Sequence, residues 1–379
     1  MNYALSEEQE MLRKMAKDFL VNECPKKLVR EMENDAKGYS PELWKKMAEL
    51  GWIGLVLPEQ YGGGAGSFLD LAVLLEEMGR ACLPGPFFST VVLGALTLVD
   101  AGTEAQKRKV LPQVASGRAI LTLALTEPSG DWKASGVSLK AVHKGDSYVL
   151  NGTKLFVSDA HVADWLICVA RTSEGRKPED GITLFLVDAR SPGIKYDVLK
   201  TIASDKQCEV AFNDVKVSAD DVMGRTDHGW EVVDRTLRRA AVGKCIEMVG
   251  GAQAVLEMTI QYAKDRVQFG RPIGSFQAVQ HHCANMATDV DGSRMIAYEA
   301  AWMMSEGLPC AKEAAMAKAW VSDAYRRVVA LGHQIHGGIG FTMDHDMQLY
   351  YRRAKAAELA YGDGDFHRES VAALMGIGG

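Results

Sequence analysis

The chain has 379 residues and a formal net charge of -6, and 47% of its residues are hydrophobic. This composition supports two or three folded domains, and the acidic balance argues against general binding to nucleic acid or anionic membrane. No apolar run approaches the ~20 residues of a membrane-spanning helix, so we expect no membrane insertion. The seven cysteines form no CxxC pair, and His281 and His282 are neighbours that point apart on a helix. We therefore expect free thiols, a cytoplasmic location and no metal site.

Residues 6 to about 115 are predicted to form helices. Ser6 and Gln9 have the spacing of a capping box, and Ser40 followed by Pro41 begins a second helix. A third helix is predicted over about residues 68–82, and another apolar helix and a short one from Thr103 follow.

The pattern changes at Ala119, where short β-branched and aromatic segments separated by turn residues predict at least five strands. Asn151-Gly152 predicts a two-residue hairpin turn between two of them. From Gly229 onward, long helical patterns run over roughly 229–266, 275–305, 308–335 and 345–376. We therefore predict an α+β protein with an N-terminal helical domain (1–118), a middle antiparallel β-domain (119–226) and a C-terminal four-helix bundle (227–379).

A glycine-rich turn, residues 337–340, separates the last two helical patterns. Glycines at this density allow a backbone to approach a bound group closely. The turn is not preceded by a strand, so it does not fit the dinucleotide-binding fingerprint of a Rossmann fold. A second break follows at residues 361–365, and it contains the carboxylates Asp363 and Asp365.

Five motifs, taken in order, resemble those of the acyl-CoA dehydrogenase family over nearly the whole chain. They are PEQYGG (58–63), LTEP (125–128), NGTKLFVSDA (151–160), YAKDRVQFGRPIGSFQAVQ (262–280) and HQIHGGIGFT (333–342). The resemblance implies an FAD cofactor, an acyl-CoA substrate and an electron-transferring flavoprotein as electron acceptor. It also implies a homotetramer, or a heterotetramer with a paralogous subunit.

The resemblance also assigns cofactor contacts. It implies that Leu125 and Thr126 lie in a flavin-contacting strand, and that Phe156 and Ser158 place an aromatic ring and a hydroxyl beside the flavin. Arg266, Gln268 and Phe269 would reach a flavin held mainly by the neighbouring subunit. The glycine turn would supply Gln334, Gly337 and Gly338 near the same cofactor. From the residues alone, Arg266 also suits a cation at a helix end, and Phe156 also suits core packing.

The usual catalytic base of the family is missing from this sequence. Family members place a glutamate at one of two positions, where it takes the α-proton while a hydride leaves the β-carbon for flavin N5. Counted without gaps, these positions fall on Tyr361 and at about Ala240. A family arginine falls on Ala241, and Arg239 close by is the candidate to replace it at the substrate. The resemblance therefore implies a branch that lacks the glutamate.

Asp363 and Asp365 are the preferred replacements for that base, and Glu358 and Asp131 are alternatives. Each of these carboxylates is also explained as a solvated surface group. Tyr361 is a poor base because its unperturbed pKa is near ~10, so it would donate a hydrogen bond or fill space instead.

Trp132 stands where the family often has a small serine, next to Asp131 and near the expected substrate. Together with Tyr361 it predicts an aromatic-lined pocket for a cyclic or bulky acyl group, although ordinary packing also explains a tryptophan there. The predicted function is thus FAD-dependent oxidation of a CoA thioester with a relocated base. The alternatives are a non-catalytic or half-site subunit of a heteromeric acyl-CoA dehydrogenase, or a flavin-assisted lyase, decarboxylase or desulfinase.

Overall fold

The computed structural model of the chain describes residues 5–377. They fall into two compact units, which we call the helical unit and the sheet unit. The helical unit comprises Met1–Arg30, Ser67–Leu83 and Ala241–Gly379, and the sheet unit comprises Glu31–Gly66 and Pro84–Ala240.

The α-helices occupy the two ends of the chain. They are α1 (Glu7–Glu23), α2 (Lys26–Asn34), α3 (Pro41–Glu49), α4 (Phe68–Ala81), α5 (Leu96–Ala101), α6 (Glu104–Ala115), α7 (Trp230–Asp265), α8 (Gln277–Ser305), α9 (Ala311–His336), α10 (Met347–Leu359) and α11 (Gly364–Leu374). In the helical unit, α9 packs against α8, α10 and α11, and α4 packs against α1 and α8.

An eight-stranded sheet forms the middle of the chain. Its strands are β1 (Leu121–Ala124), β2 (Lys140–Lys144), β3 (Ser147–Ser158), β4 (Trp165–Arg171), β5 (Ile182–Asp188), β6 (Ile194–Leu199), β7 (Gln207–Ser218) and β8 (Val222–Met223). The order is β6-β7-β3-β2-β4-β5-β8, with β1 beside β4. The sheet is mainly antiparallel, but β1 runs parallel to β4. A separate two-residue ladder joins β9 (Val267–Gln268) to β10 (Arg271–Pro272).

The predicted order of helices, strands and helices is confirmed, and several helix starts lie where the capping residues predict. Ser6 and Gln9 form a complete capping box at α1, and Pro41 opens α3 behind the Ser40 cap. Thr103 caps α6 in the same way. Two features were not predicted: the short helix α2 and the π-helical segment Ser89–Ala95.

The predicted hairpin at Asn151-Gly152 is wrong. Strand β3 runs through both residues and pairs with β7 on either side of a register shift, while the turn into β3 lies between Lys144 and Ser147. Tertiary contacts override the local preference of the dipeptide. The Asn151 amide donates to Asp214 Oδ1 at 3.0 Å, and a Cβ on Gly152 would lie 2.9 Å from the Leu139 side chain.

The last helical pattern, 345–376, is broken into α10 and α11 at the predicted second break.

Elsewhere in the helical unit, helices α4 and α7 cross at two glycines. A Cβ on Gly79 would lie 2.0 Å from Glu247 O, and one on Gly250 would lie 1.8 Å from Glu76 O. Only glycine permits this backbone approach. Within residues 5–377, we find no helix with the length and hydropathy needed to cross a bilayer.

Candidate active site

The glycine turn directly follows α9 and forms a short 3-10 helix, Gly337–Phe341. Gly337 has a φ of +63°, which ends α9 in a conformation that glycine tolerates without a steric penalty. A Cβ added to Gly337 or Gly338 would meet no atom of the described residues within 4 Å. In the helical unit, this turn therefore presents open backbone on which a bound group can lie.

Two polar donors on the same unit are uncommitted. The Arg266 guanidinium follows α7, is exposed, and has no hydrogen-bond or ion-pair partner within residues 5–377. The exposed Gln334 amide, in the last turn of α9, is also unpaired within those residues. Gln268 instead donates to Val267 O at 2.8 Å, and the Phe269 ring is 92% exposed. A guanidinium, a free amide, open glycines and an exposed ring fit a diphosphate-bearing cofactor such as FAD.

Two buried histidines support the turn, and the sequence interpretation overlooked them. His333 is 5% exposed, and its ring contacts Phe341 and Tyr351. Among residues 5–377, neither of its ring nitrogens has a hydrogen-bond partner. His336 stacks on Tyr262 at 4.5 Å and lies 2.8 Å from Gly332 O through Nδ1. Burial lowers the pKa of both histidines, so both rings are neutral near pH 7. The sequence signal for these two histidines is their i, i+3 spacing, which places His333 and His336 on one face of α9.

In the sheet unit, the predicted flavin-contacting residues come from two adjacent backbone segments. The amide of Leu155 donates to Thr126 O at 2.8 Å, which places Leu125 and Thr126 beside the end of β3. Phe156 lies in a β-bulge of that strand, has a φ of +53° and is 53% exposed. An exposed aromatic in a strained conformation is more typical of a ligand-contacting position than of core packing. Ser158, the last residue of β3, pairs with Gln207 of β7.

A buried ion pair holds these two segments together. The Lys154 ammonium is fully buried, lies 2.7 Å from Glu127 Oε1 and donates to Leu125 O at 2.9 Å. Burial disfavours the charged Glu127 carboxylate, but Lys154 and the Ser138 hydroxyl outweigh burial and lower its pKa. Both partners belong to motifs of the sequence, LTEP and NGTK, but their pairing is a long-range contact that neither motif reveals alone.

Glu127 also fixes the loop that carries Asp131 and Trp132. Its carboxylate accepts the amides of Ser138 and Leu139 at 3.0 and 2.9 Å. From β4, the Arg171 guanidinium donates to the carbonyls of Ala134 and Val137 at 3.0 and 2.8 Å. The loop is thus anchored at both its centre and its end, and the half-buried Trp132 side chain is presented by an ordered segment.

Asp131 is engaged within that loop. Its carboxylate accepts the Lys133 amide at 2.9 Å and the Ser135 hydroxyl at 2.7 Å. Partial burial would raise its pKa, but these hydrogen bonds outweigh it and lower the pKa. A carboxylate with a lowered pKa is a weak proton acceptor at neutral pH, so the structure disfavours Asp131 as the base.

Tyr361 lies in the connection between α10 and α11. Ala360 is extended, Tyr361 has a φ of +60° and Gly362 a φ of +93°, so the chain reverses in two left-handed residues. The Tyr361 side chain is half-buried. The Glu358 carboxylate, in the last turn of α10, is paired with Arg326 at 3.3 Å and Lys355 at 3.1 Å.

The two preferred carboxylates differ in their surroundings. Asp363 is half-buried and caps α11, because its Oδ1 accepts the Phe366 amide at 2.9 Å. The Asp365 side chain is 88% exposed and forms a surface ion pair with Arg368 at 2.9 Å. Of these two carboxylates, Asp363 is the one that is both half-buried and within two residues of Tyr361.

The second position at which the sequence predicts the family base, at about Ala240, lies in α7, within the sheet unit. Ala240 is fully buried, and the neighbouring Arg239 donates from Nη2 to Asp100 Oδ2 at 3.1 Å. Arg239 Nη1 is buried and has no hydrogen-bond partner in the part of the chain that the structure describes. This N–H group is available to an acceptor on a ligand. Among residues 5–377, no cluster of three or more His, Cys, Asp or Glu side chains has the arrangement of a metal site.

Three family models match the chain in succession. The acyl-CoA dehydrogenase N-terminal domain matches residues 6–118, the middle domain residues 122–215 and the C-terminal domain residues 227–376. The domain boundaries predicted above differ slightly from these ranges and remain predictions.

Similar proteins cover nearly the full length of the chain. A probable acyl-CoA dehydrogenase, YngJ, of Bacillus subtilis (strain 168) is 36% identical over 98% of this chain and 99% of its own. An acryloyl-CoA reductase (NADH) of Anaerotignum propionicum is 32% identical over 98% of this chain and 95% of its own.

Solved structures agree with the fold. Butyryl-CoA dehydrogenase from Megasphaera elsdenii superimposes with a TM-score of 0.91 at 31% identity, covering 99% of this chain and 100% of its own. A chain from the structure of the electron transferring flavoprotein of Acidaminococcus fermentans gives 0.92 at 31% identity, covering 99% of each chain. A chain of the ChsE4-ChsE5 complex from Mycobacterium tuberculosis gives 0.91 at 28% identity, covering 100% of each chain. The chain therefore belongs to the acyl-CoA dehydrogenase family of FAD-dependent oxidoreductases that act on CH–CH bonds.

Proposed function

We propose that the chain oxidises a CoA thioester with a cyclic or bulky acyl group, using a proton acceptor other than the usual family glutamate. The observation that carries this proposal is the side chain at position 361, a half-buried tyrosine on a tight left-handed turn. A phenol cannot replace a carboxylate as base near neutral pH, but it contributes an aromatic wall and a hydrogen-bond donor. Trp132, on the anchored loop of the sheet unit, is a second aromatic side chain that we propose to contact the acyl group.

The proposed cofactor contacts comprise two sets of residues. The uncommitted Arg266 and Gln334 side chains and the open Gly337-Gly338 backbone suit the diphosphate part of FAD, and Phe269 supplies an exposed ring beside them. Leu125, Thr126, Phe156 and Ser158 would flank the flavin ring system, and Gln268 is a proposed contact of the first set. FAD, when bound, supplies the hydride-accepting chemistry of the reaction.

We propose Asp363 as the proton acceptor, ahead of Asp365. One oxygen of Asp363 caps α11, and the residue is half-buried. Asp365 is highly exposed and paired with Arg368, which favours a surface role. Arg239 is the proposed contact for a polar substrate group, because its buried Nη1 has no partner among the described residues.

Flavin reduction by a panel of acyl-CoAs tests the substrate proposal. Protein purified with bound FAD is mixed without oxygen with straight-chain and ring-bearing acyl-CoAs, and the loss of flavin absorbance is followed. We expect faster reduction by ring-bearing thioesters. Preference for straight-chain thioesters would refute the aromatic pocket, and product analysis in the same samples distinguishes dehydrogenation from elimination, decarboxylation or loss of a sulfur group.

A half-site subunit in a heteromeric complex is the second candidate. Both family base positions lack a carboxylate here, and the similar ChsE4-ChsE5 chain comes from a complex of two subunits. Residues that would serve a neighbour's flavin, Arg266 and Gln334, suit either case. Expression of the chain alone separates the two: a yellow, active homotetramer supports the first candidate, and a colourless, inactive oligomer supports the second.

An electron-transferring flavoprotein is the proposed electron acceptor, in keeping with the similar chain from the Acidaminococcus fermentans structure. The test is steady-state turnover with such a flavoprotein compared with an artificial dye. Turnover with the dye alone would argue for a different physiological acceptor.

A further inference from the structure

Lys318 lies in the middle of α9 and is completely buried. Its ammonium donates to the carbonyls of Glu358 and Gly362, both at 2.9 Å, and to the Ser322 hydroxyl at 3.1 Å. No carboxylate lies within ion-pair distance of it among residues 5–377. A buried cation without a paired anion is costly, and each of its three N–H groups has an acceptor: the carbonyls of Glu358 and Gly362 and the Ser322 hydroxyl of its own helix.

His367, in α11, contacts a carbonyl between the two that Lys318 contacts, that of Tyr361. His367 is 8% exposed, and its Nε2 lies 2.9 Å from Tyr361 O. Because a carbonyl oxygen only accepts, Nε2 must carry the proton. Burial lowers the pKa of His367 to about 4, against the opposing influence of Asp363 and the Tyr361 carbonyl, so the ring is neutral near pH 7.

The contacted carbonyls lie at the end of α10 and in its connection to α11. We call residues 358–363 the 358–363 turn. Glu358, Tyr361 and Gly362 each give a carbonyl oxygen to one of the two side chains. The turn is sterically unfavourable for Tyr361, whose φ is +60°. It is also tight at Gly362, where a Cβ would lie 2.4 Å from Phe366 and 2.9 Å from His367 Nε2. A strained turn persists only where surrounding groups hold it. Here the Lys318 ammonium and the His367 imidazole contact its carbonyls.

We propose that Lys318 and His367 are positioning residues that hold the 358–363 turn and thereby fix the direction in which residue 361 presents its side chain. The proposal rests on the proposed function only in treating position 361 as part of the active site. Neither residue needs to touch substrate or cofactor. All of their contacts to the turn are to backbone oxygens, so the positioning does not depend on the identity of side chain 361.

The groups around Lys318 decide how its contacts respond to pH. Burial lowers its pKa to about 8, Cys245, Asp363 and Glu358 oppose this, and Lys244 adds to it. After deprotonation, a neutral amine still has two N–H groups for the two carbonyls, and the Ser322 hydroxyl can then donate to its lone pair. We therefore expect the turn to remain held on both sides of pH 8.

Hydrogen–deuterium exchange in the FAD-loaded protein tests the proposal without relying on turnover. Lys318→Met removes every donor at similar length, and His367→Leu removes the imidazole donor. We expect backbone exchange over residues 359–366 to rise by about tenfold or more in both. His367→Gln retains an N–H near the Nε2 position and should restore slow exchange. Ser322→Ala, which leaves the two carbonyl contacts intact, is the matched control and should change exchange by less than about threefold.

Kinetics then link the turn to the site. In His367→Leu we expect kcat for flavin reduction to fall by about tenfold while KM for the thioester changes little, with recovery in His367→Gln. Folded Lys318→Met protein with wild-type exchange, or His367→Gln as fast-exchanging as His367→Leu, would overturn the proposal. If Lys318→Met does not fold, the His367 pair decides. If no acyl-CoA reduces the wild-type flavin but exchange responds as expected, the proposed function fails and the positioning role stands.

Discussion

Asp363 has two roles in our interpretation, as the cap of α11 and as the proposed proton acceptor, and substitution by asparagine separates them. The Asp363 backbone is extended and its Oδ1 accepts the Phe366 amide at 2.9 Å, as in a regular N-cap. Asparagine caps helices about as well as aspartate, whereas alanine costs about 0.5–2 kcal/mol. Asp363→Asn should therefore fold with nearly wild-type stability, and Asp363→Ala should lose about 1 kcal/mol.

The catalytic effect of the same substitution is much larger. An amide cannot accept the α-proton, and removal of a general base typically slows a reaction by about 10²–10⁴-fold. We expect Asp363→Asn to slow flavin reduction at saturating acyl-CoA by about 100-fold or more, measured by anaerobic stopped-flow absorbance. Urea unfolding of the same preparations provides the stability measurement.

The control is Asp365→Asn, since that side chain is 88% exposed and paired only at the surface. We expect it to change neither rate nor stability appreciably. If Asp363→Asn folds normally and reduces flavin at the wild-type rate, Asp363 is not the base, and the assignment made from its burial and its place beside Tyr361 is refuted.

Three further substitutions test separate parts of the structure. Tyr361→Glu puts a carboxylate on the turn and should create or enhance α,β-dehydrogenation in the acyl-CoA panel; no gain with any bound thioester would argue against the alignment of position 361. Glu127→Gln leaves the buried Lys154 ammonium unpaired and should destabilise the protein by about 3 kcal/mol or more in urea unfolding, whereas an unchanged midpoint would contradict the buried pair. The pKa of Lys318 is lowered from 10.5 to about 8, so the unfolded chain binds more protons between those values. The unfolding free energy of the wild type relative to Lys318→Met should then be level below pH 8 and rise by up to about 3 kcal/mol between pH 8 and 10.5; a difference independent of pH would refute the buried ammonium.

The elements that the sequence predicts well are those whose signals are local. A capping box at Ser6 and Gln9 satisfies backbone donors within one helical turn, so its outcome does not depend on the rest of the fold. The glycine turn at residues 337–340 is also local, because open backbone follows from the absence of side chains. The break at residue 361 was recognisable in the same way from two glycines flanking a short acidic segment.

The elements that the sequence predicts poorly depend on distant partners. Asn151-Gly152 has the composition of a hairpin, but pairing with β7 and the contact with Asp214 keep β3 extended through it. Lys318 likewise contacts carbonyls about 40 residues later in the chain, so no spacing rule connects them. Its one sequence signal is a lysine on the apolar face of α9, among the buried residues Ala314, Ala317 and Val321. A charged residue in that setting indicates a specific set of acceptors but does not identify them.

The contacts of the 358–363 turn bear on why position 361 can carry tyrosine at all. Lys318 and His367 contact the turn through its main-chain oxygens, and Asp363 caps a main-chain amide. Exchanging side chain 361 should therefore alter the chemistry presented there while leaving these main-chain contacts in place. By the same reasoning, a carboxylate introduced at position 361 should be held by an intact turn. If position 361 is the family's base position, as we propose, a proton acceptor close to the same turn, such as Asp363, is a smaller change than a rebuilt site.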